Sequence, residues 1–197
     1  MQAFVKRAIS LAALLCLAAP LGAAPAKSQK QLADSMEKKI AAVRENGARE
    51  RPKGQTTVFA QDEINAYFAE RRLPMPEGVR SVTFDLTPGK VFSRARIDFD
   101  EITRERRNRN PLMHLFTGTH NVEVAARATS AGPGRVRVNV ESVAIGGVTV
   151  PRMALQFFIE RFVNPKYPNV RLDGEYTLPS RMDSVTIETR KGTVLQK

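Results

Sequence analysis

The chain has 197 residues, a formal net charge of +11 at pH 7, two histidines, no tryptophan and a single cysteine. That length suits one domain with a sizeable core. Cys16 lies in an apolar N-terminal run, so the rest of the chain has no disulfide, thiol nucleophile or thiolate metal ligand.

Residues 1–26 read as a secretory signal. Lys6 and Arg7 form a basic n-region, Ala8 to Ala19 an apolar h-region, and Ala24-x-Ala26 a cleavage site, with Leu21-x-Ala23 as second choice. The apolar run is shorter than the ~20 residues that span a bilayer, which favours export with cleavage over a retained anchor. Leu15 precedes Cys16 where lipid attachment would need a small residue. The expected location is periplasmic or extracellular, with membrane association open. For an exported chain this basic, the expected partners are anionic lipid head groups or acidic envelope polymers, and no nucleic acid.

Residues 27–53 form an expected polar helix and linker. Leu32, Met36, Ile40 and Val43 fall within about 80° of helical arc, a narrow stripe. This helix lies on the domain, extends loosely from it, or lies on a membrane surface, although the last would want a wider and bulkier apolar face. Pro52-Lys53-Gly54 ends it, and residues 54–197 read as a single α+β domain. Thr56 to Phe59 is extended and leads into a helix over Gln61 to Arg72. Asp62 and Glu63 stand in its first turn, and Arg71 and Arg72 in its last, as the helix dipole prefers.

The period then becomes two. Val82, Phe84 and Leu86 alternate with polar residues, Pro88-Gly89 supplies a type II turn, and Val91, Ala95, Ile97 and Phe99 continue on a return strand. Residues 100–110 are charged and read as a loop, and Pro111 to Phe116 as a short helix closed by Gly118. A second hairpin alternates Val122, Val124, Ala126 and Ala128 against Val136, Val138 and Val140. Gly146-Gly147 marks a bend, and Pro151 starts a helix running to about Val163. Strands follow near Val170 to Leu178, Ser184 to Thr189 and Thr193 to Leu195. The expected fold is α+β, a curved antiparallel sheet of hairpins packed against a few helices.

Two places invite chemistry. In the Pro151–Val163 helix, Ala154, Leu155, Phe158, Ile159 and Phe162 share one broad face, while Met153 and Phe157 form a second apolar ridge. A helix apolar on two sides has two things to bury against. One is the sheet; the other is the N-terminal helix, a lipid chain or a membrane surface. On the hairpins, Arg94, Arg96, Arg127, Arg135 and Arg137 all take outward parity, interrupted by Asp98, Glu123 and Glu141. Guanidinium forks suit phosphate and carboxylate oxygens, although a charged solvent face is also ordinary for an antiparallel sheet. His114 and His120, with Glu123 nearby, lack the tight spacing of a zinc site. No Gly-x-Ser-x-Gly elbow, phosphate-binding glycine loop or HExxH is present, so no catalytic, metal or cofactor site is expected.

Phe59-Ala60-Gln61-Asp62-Glu63-Ile64-Asn65-Ala66-Tyr67-Phe68 resembles the entry motif of YpmS-like exported proteins, where a strand end runs into an acidic helix with an (I/L)-N-A core. Glu141-Ser142-Val143-Ala144-Ile145-Gly146-Gly147-Val148-Thr149-Val150-Pro151 resembles the element before their hydrophobic helix, and the same grammar is similar to LmeA-type phospholipid-binding envelope proteins. Ala60 departs from the Ser or Thr cap usual at that helix start. The resemblance covers residues 56–190. It implies a curved sheet cradling helices, and lipid binding.

The expected function is therefore non-enzymatic. Met153 and Phe157 would line an apolar groove for acyl chains, and the five arginines would hold an anionic head group. The alternative is a structural or assembly factor that binds a membrane protein or acidic polymer through the arginine face.

Overall fold

The computed structural model of the chain describes residues 27–103 and 117–197. The expected signal segment, the basic stretch 104–110 and the expected helix at Pro111 to Phe116 lie outside these residues. Within them the elements run α1 (Gln29–Ala48), β1 (Gln55–Ala60), α2 (Gln61–Ala69), β2 (Val79–Thr87), β3 (Lys90–Asp98) and α3 (Phe99–Thr103). Then follow β4 (Thr119–Ser130), β5 (Arg135–Ile145), β6 (Val148–Thr149), α4 (Arg152–Phe158), β7 (Asp173–Thr177), β8 (Met182–Glu188) and β9 (Lys191–Gln196). The class is α+β with antiparallel pairing throughout.

The two hairpins are neighbours in one meander. The larger sheet has the order β2-β3-β4-β5-β6, with β7 paired to the other end of β5. Its first turn has the expected chemistry: Thr87 faces Lys90 across Pro88-Gly89, and Gly89 has φ 70°. The bend at Gly146-Gly147 is a two-residue turn with both φ values positive, 58° and 83°, which glycine adopts without strain. Strands β1, β9 and β8 form a second, three-stranded sheet. It crosses the hairpin tips of the first: Gly89 N–H donates to Ile187 O and Gly134 N–H to Asp183 O.

Each sheet buries one face. Phe99, Val122, Val143, Ile145 and Val150 of the larger sheet and its flanks pack with Ala154, Phe158 and Phe162. Val43, Phe59 and Val194 form a second cluster beneath α1, joined by Met36, Ile40, Ile64, Met182 and Val185. The stripe read from the sequence thus docks α1 onto the domain. Its start is a capping box, with Ser28 Oγ accepting from Gln31 N–H at 3.3 Å and Gln31 Oε1 accepting from Ser28 N–H at 2.9 Å. Its end is tied by a buried polar knot. Asn46 binds both backbone groups of Lys53, and Gln196, fully buried, donates to Val43 O at 3.0 Å and Ser180 O at 2.7 Å. Gly47 permits this approach, since a Cβ there would stand 2.2 Å from Ser180 O.

Several boundaries differ from expectation. Phe99 does not end β3. It opens α3, so residues 100–103 are helical and not loop, with Asp98 Oδ1 accepting from Glu101 N–H at 3.2 Å. Helix α2 stops at Ala69, and Arg71 takes φ 51°, so Arg71 and Arg72 leave the last turn. Arg72 reaches Asp34 and Glu37 of α1 instead, because two carboxylates outweigh the diffuse dipole. Pro151 is the cap of α4 and not its first residue, and the helix widens into a π-type turn over Ile159–Val163.

Candidate functional site

The register settles where the arginines point. Arg94 faces Glu123 and Arg96 faces Asn121 across β3–β4, while Arg127 faces both Lys90 and Asn139. Arg137 faces Thr129 and Glu175, and Arg135 faces Thr177. Alternation therefore places Arg94, Arg96, Arg127, Arg135 and Arg137 on one face of the larger sheet, opposite the face that bears α4.

That face is nearly balanced in charge. Arg127 Nε donates to Glu141 Oε1 at 3.0 Å, and Lys90 Nζ to Glu141 Oε2 at 2.9 Å. Hydrogen bonds from Lys90 and Arg127 hold the Glu141 carboxyl below the usual glutamate range. Arg137 does the same for Glu175, which Arg135 also approaches at 3.7 Å. Arg94 lies 3.4 Å from Glu123. Arg96 makes no ion pair among the described residues, and neither does Asp85. The expected interrupting residue Asp98 instead serves Arg80, the extra residue of a bulge in β2. Glu141 is the extra residue of a second bulge, where Ala125 faces Ser142 and Ala126 faces Val140.

Beside that bulge the face sinks into a depression of about 390 Å³. Its floor is made of the small side chains Ala125, Ser142, Ala144 and Thr149, with Phe92, Asp85, Arg94 and Glu123 around them. Phe92 is 41 % exposed, an aromatic ring at an outward position between Lys90 and Arg94. An apolar side chain on an otherwise polar row is the sequence signal that marks Phe92.

The ridge expected of Met153 and Phe157 is divided. Met153 is 80 % exposed, whereas Phe157 is half-buried and packs against the core cluster beneath α4. α4 thus meets the sheet with its broad face and with Phe157, while α1 sits over the other sheet. Val148 is exposed as well, at 63 %, just after the Gly146-Gly147 turn. Val148 faces Ile145, so it lies on the helix-bearing side of the sheet, while Thr149 faces Ala144 on the arginine side.

His120 is exposed at the start of β4, and His114 lies outside the described residues. Among the described residues no three metal-ligating side chains come together, and no helix is long and apolar enough to cross a membrane. Comparison of the chain with protein-family models, with curated proteins and with solved structures finds no match. The functional reading therefore rests on the chain's own chemistry.

Proposed function

We propose that this is a non-catalytic, exported protein of the cell envelope that docks on a lipid surface and holds lipid there. The observation that carries the reading is the exposure of two large apolar side chains, Val148 of β6 and Met153 of α4. Both stand on the helix-bearing side, five residues apart in the chain, with an arginine-bearing face around the β6 edge. Moving such side chains from water into the acyl boundary is favourable by roughly 25 cal/mol per Å² of apolar surface. Each cation brought near an anionic leaflet adds about 1 kcal/mol. Two apolar contacts, with Arg96 as the cation of that face outside any ion pair among the described residues, give weak, reversible binding, as suits a protein that picks up or presents lipid. Phe157 serves the core in this reading, and Met153 alone of the expected ridge meets the membrane.

The test is flotation with anionic vesicles. The double variant Val148→Glu/Met153→Glu should bind much more weakly than the parent while keeping its melting temperature, since neither side chain is buried. Unchanged vesicle binding in that variant would remove the reading's support.

A second reading is favoured by the gathering of the arginines on one face: an assembly factor that binds a membrane protein or acidic polymer. It expects the same double variant to retain its partner.

A further inference from the structure

We infer that the depression on the arginine face takes a zwitterionic lipid head group, a phosphate ester carrying a primary ammonium, with Arg94 at the phosphate and Asp85 at the ammonium. The inference rests on the lipid reading above and names its head group.

Charge is the first argument. A purely anionic ligand in this depression would meet Asp85 and Glu123 as well as Arg94. A ligand with both signs meets a partner for each. Asp85 is directly opposite Phe92, and Arg94 lies two residues further along the same strand. That diagonal is about 7–8 Å between backbones, within reach of long side chains converging on one small group.

Availability is the second. Arg127 is held by two contacts to Glu141, at 3.0 and 2.9 Å, and Arg137 is tied to Glu175. Arg94 touches Glu123 only at 3.4 Å, and both side chains are mostly exposed. An exposed pair of that kind contributes little, so a phosphate with several acceptor oxygens replaces it readily. Asp85 has no ion-pair partner to give up among the described residues.

Shape is the third. The floor is small side chains, and the bulge at Glu141 interrupts the row that would otherwise continue there. The volume of about 390 Å³ lies within the range of small-ligand sites. One aromatic ring does not make the cage a quaternary ammonium prefers, whereas a carboxylate accepts N–H donors from a primary ammonium.

The experiment compares flotation of the full chain with vesicles of phosphatidylcholine alone, and of phosphatidylcholine mixed with phosphatidylethanolamine or with phosphatidylglycerol. The parent should prefer the ethanolamine mixture over phosphatidylcholine alone by about tenfold, the size of one charge-assisted hydrogen bond. Asp85→Asn should abolish that preference and leave phosphatidylglycerol binding equal or tighter. Arg94→Gln should weaken binding to both mixtures. Both residues are exposed, and an unchanged melting temperature confirms that the variants fold. An ethanolamine preference that is absent in the parent, or that survives Asp85→Asn, overturns the inference. Binding to phosphatidylglycerol alone sinks the head-group assignment and leaves the lipid reading standing; binding to no vesicle sinks both.

Discussion

Three side chains within six positions of α4 should respond very differently to truncation. Phe158 is buried, stacked on Phe162 with centroids 5.2 Å apart and edge-on to Phe99 at 5.7 Å. Phe158→Ala removes the transfer energy, leaves a cavity and breaks two ring pairs, so the expected loss is the upper part of the usual ~3–5 kcal/mol. Phe157 packs on the same cluster but keeps part of its ring in water. With roughly half of a ~3 kcal/mol burial at stake, Phe157→Ser should cost about 1–2 kcal/mol. Met153→Ser should cost almost nothing. Urea unfolding of the three variants, at unchanged slope, measures the series against a total stability of about 5–15 kcal/mol. If Phe157→Ser is as neutral as Met153→Ser, Phe157 is a wet groove wall and the division of the ridge described above is wrong. If it matches Phe158→Ala, Phe157 is full core.

Asn65→Ala should cost about 1–3 kcal/mol, because the amide satisfies both Phe84 N–H at 2.7 Å and Phe84 O at 2.9 Å. The same variant should self-associate at high concentration, seen by light scattering, since it uncovers an edge strand; a monomeric, fully stable variant contradicts this. Glu63 is buried, which raises its pKa, yet hydrogen bonds from Lys39, Ser35 and the Ala60 N–H outweigh burial and lower it overall. A carboxyl depressed in the folded state contributes stability above its unfolded value of about 4.3, and that contribution disappears as pH falls through the lower folded value. Glu63→Gln should therefore be less stable near neutrality and lose less on acidification; parallel pH profiles for parent and variant would contradict it.

Much of the architecture was readable because period and turn chemistry agree. Pro88-Gly89, Gly146-Gly147 and the alternating valines fix strands and register locally, and that register also placed the five arginines on one face. Their neutralisation was not readable. Glu175 comes from a strand 38 residues beyond Arg137, and Glu141 turns outward only because a bulge changes parity within β5. Residues 100–103 looked like a loop because charge dominates them, but Asp98 supplies the helix start and Ile102 packs on the core cluster. The Gln196–Asn46 knot joins residues 150 apart, so no local pattern announces it.

The edges of both sheets bear on how anything is recognised. The free backbone of β2 is taken by Arg71 at Arg80 O, Asn65 at Phe84, Gln61 at Leu86 N–H and Arg190 N–H at Leu86 O. On β1, Lys39 donates to Val58 O and Glu63 accepts from Ala60 N–H. Strand β5 is flanked by β6 and β7, and between them Val140 N–H donates to Leu172 O. α2 thus carries side chains that close one edge of each sheet, which gives its polar positions a structural purpose. These contacts leave less backbone on β2 and β1 for strand addition. Among the surfaces left open are the face that holds Phe92, Arg94 and Asp85, Val148 of β6, and Met153 of α4. Recognition by side chains at those places, and not by sheet extension, is what the proposed lipid reading requires.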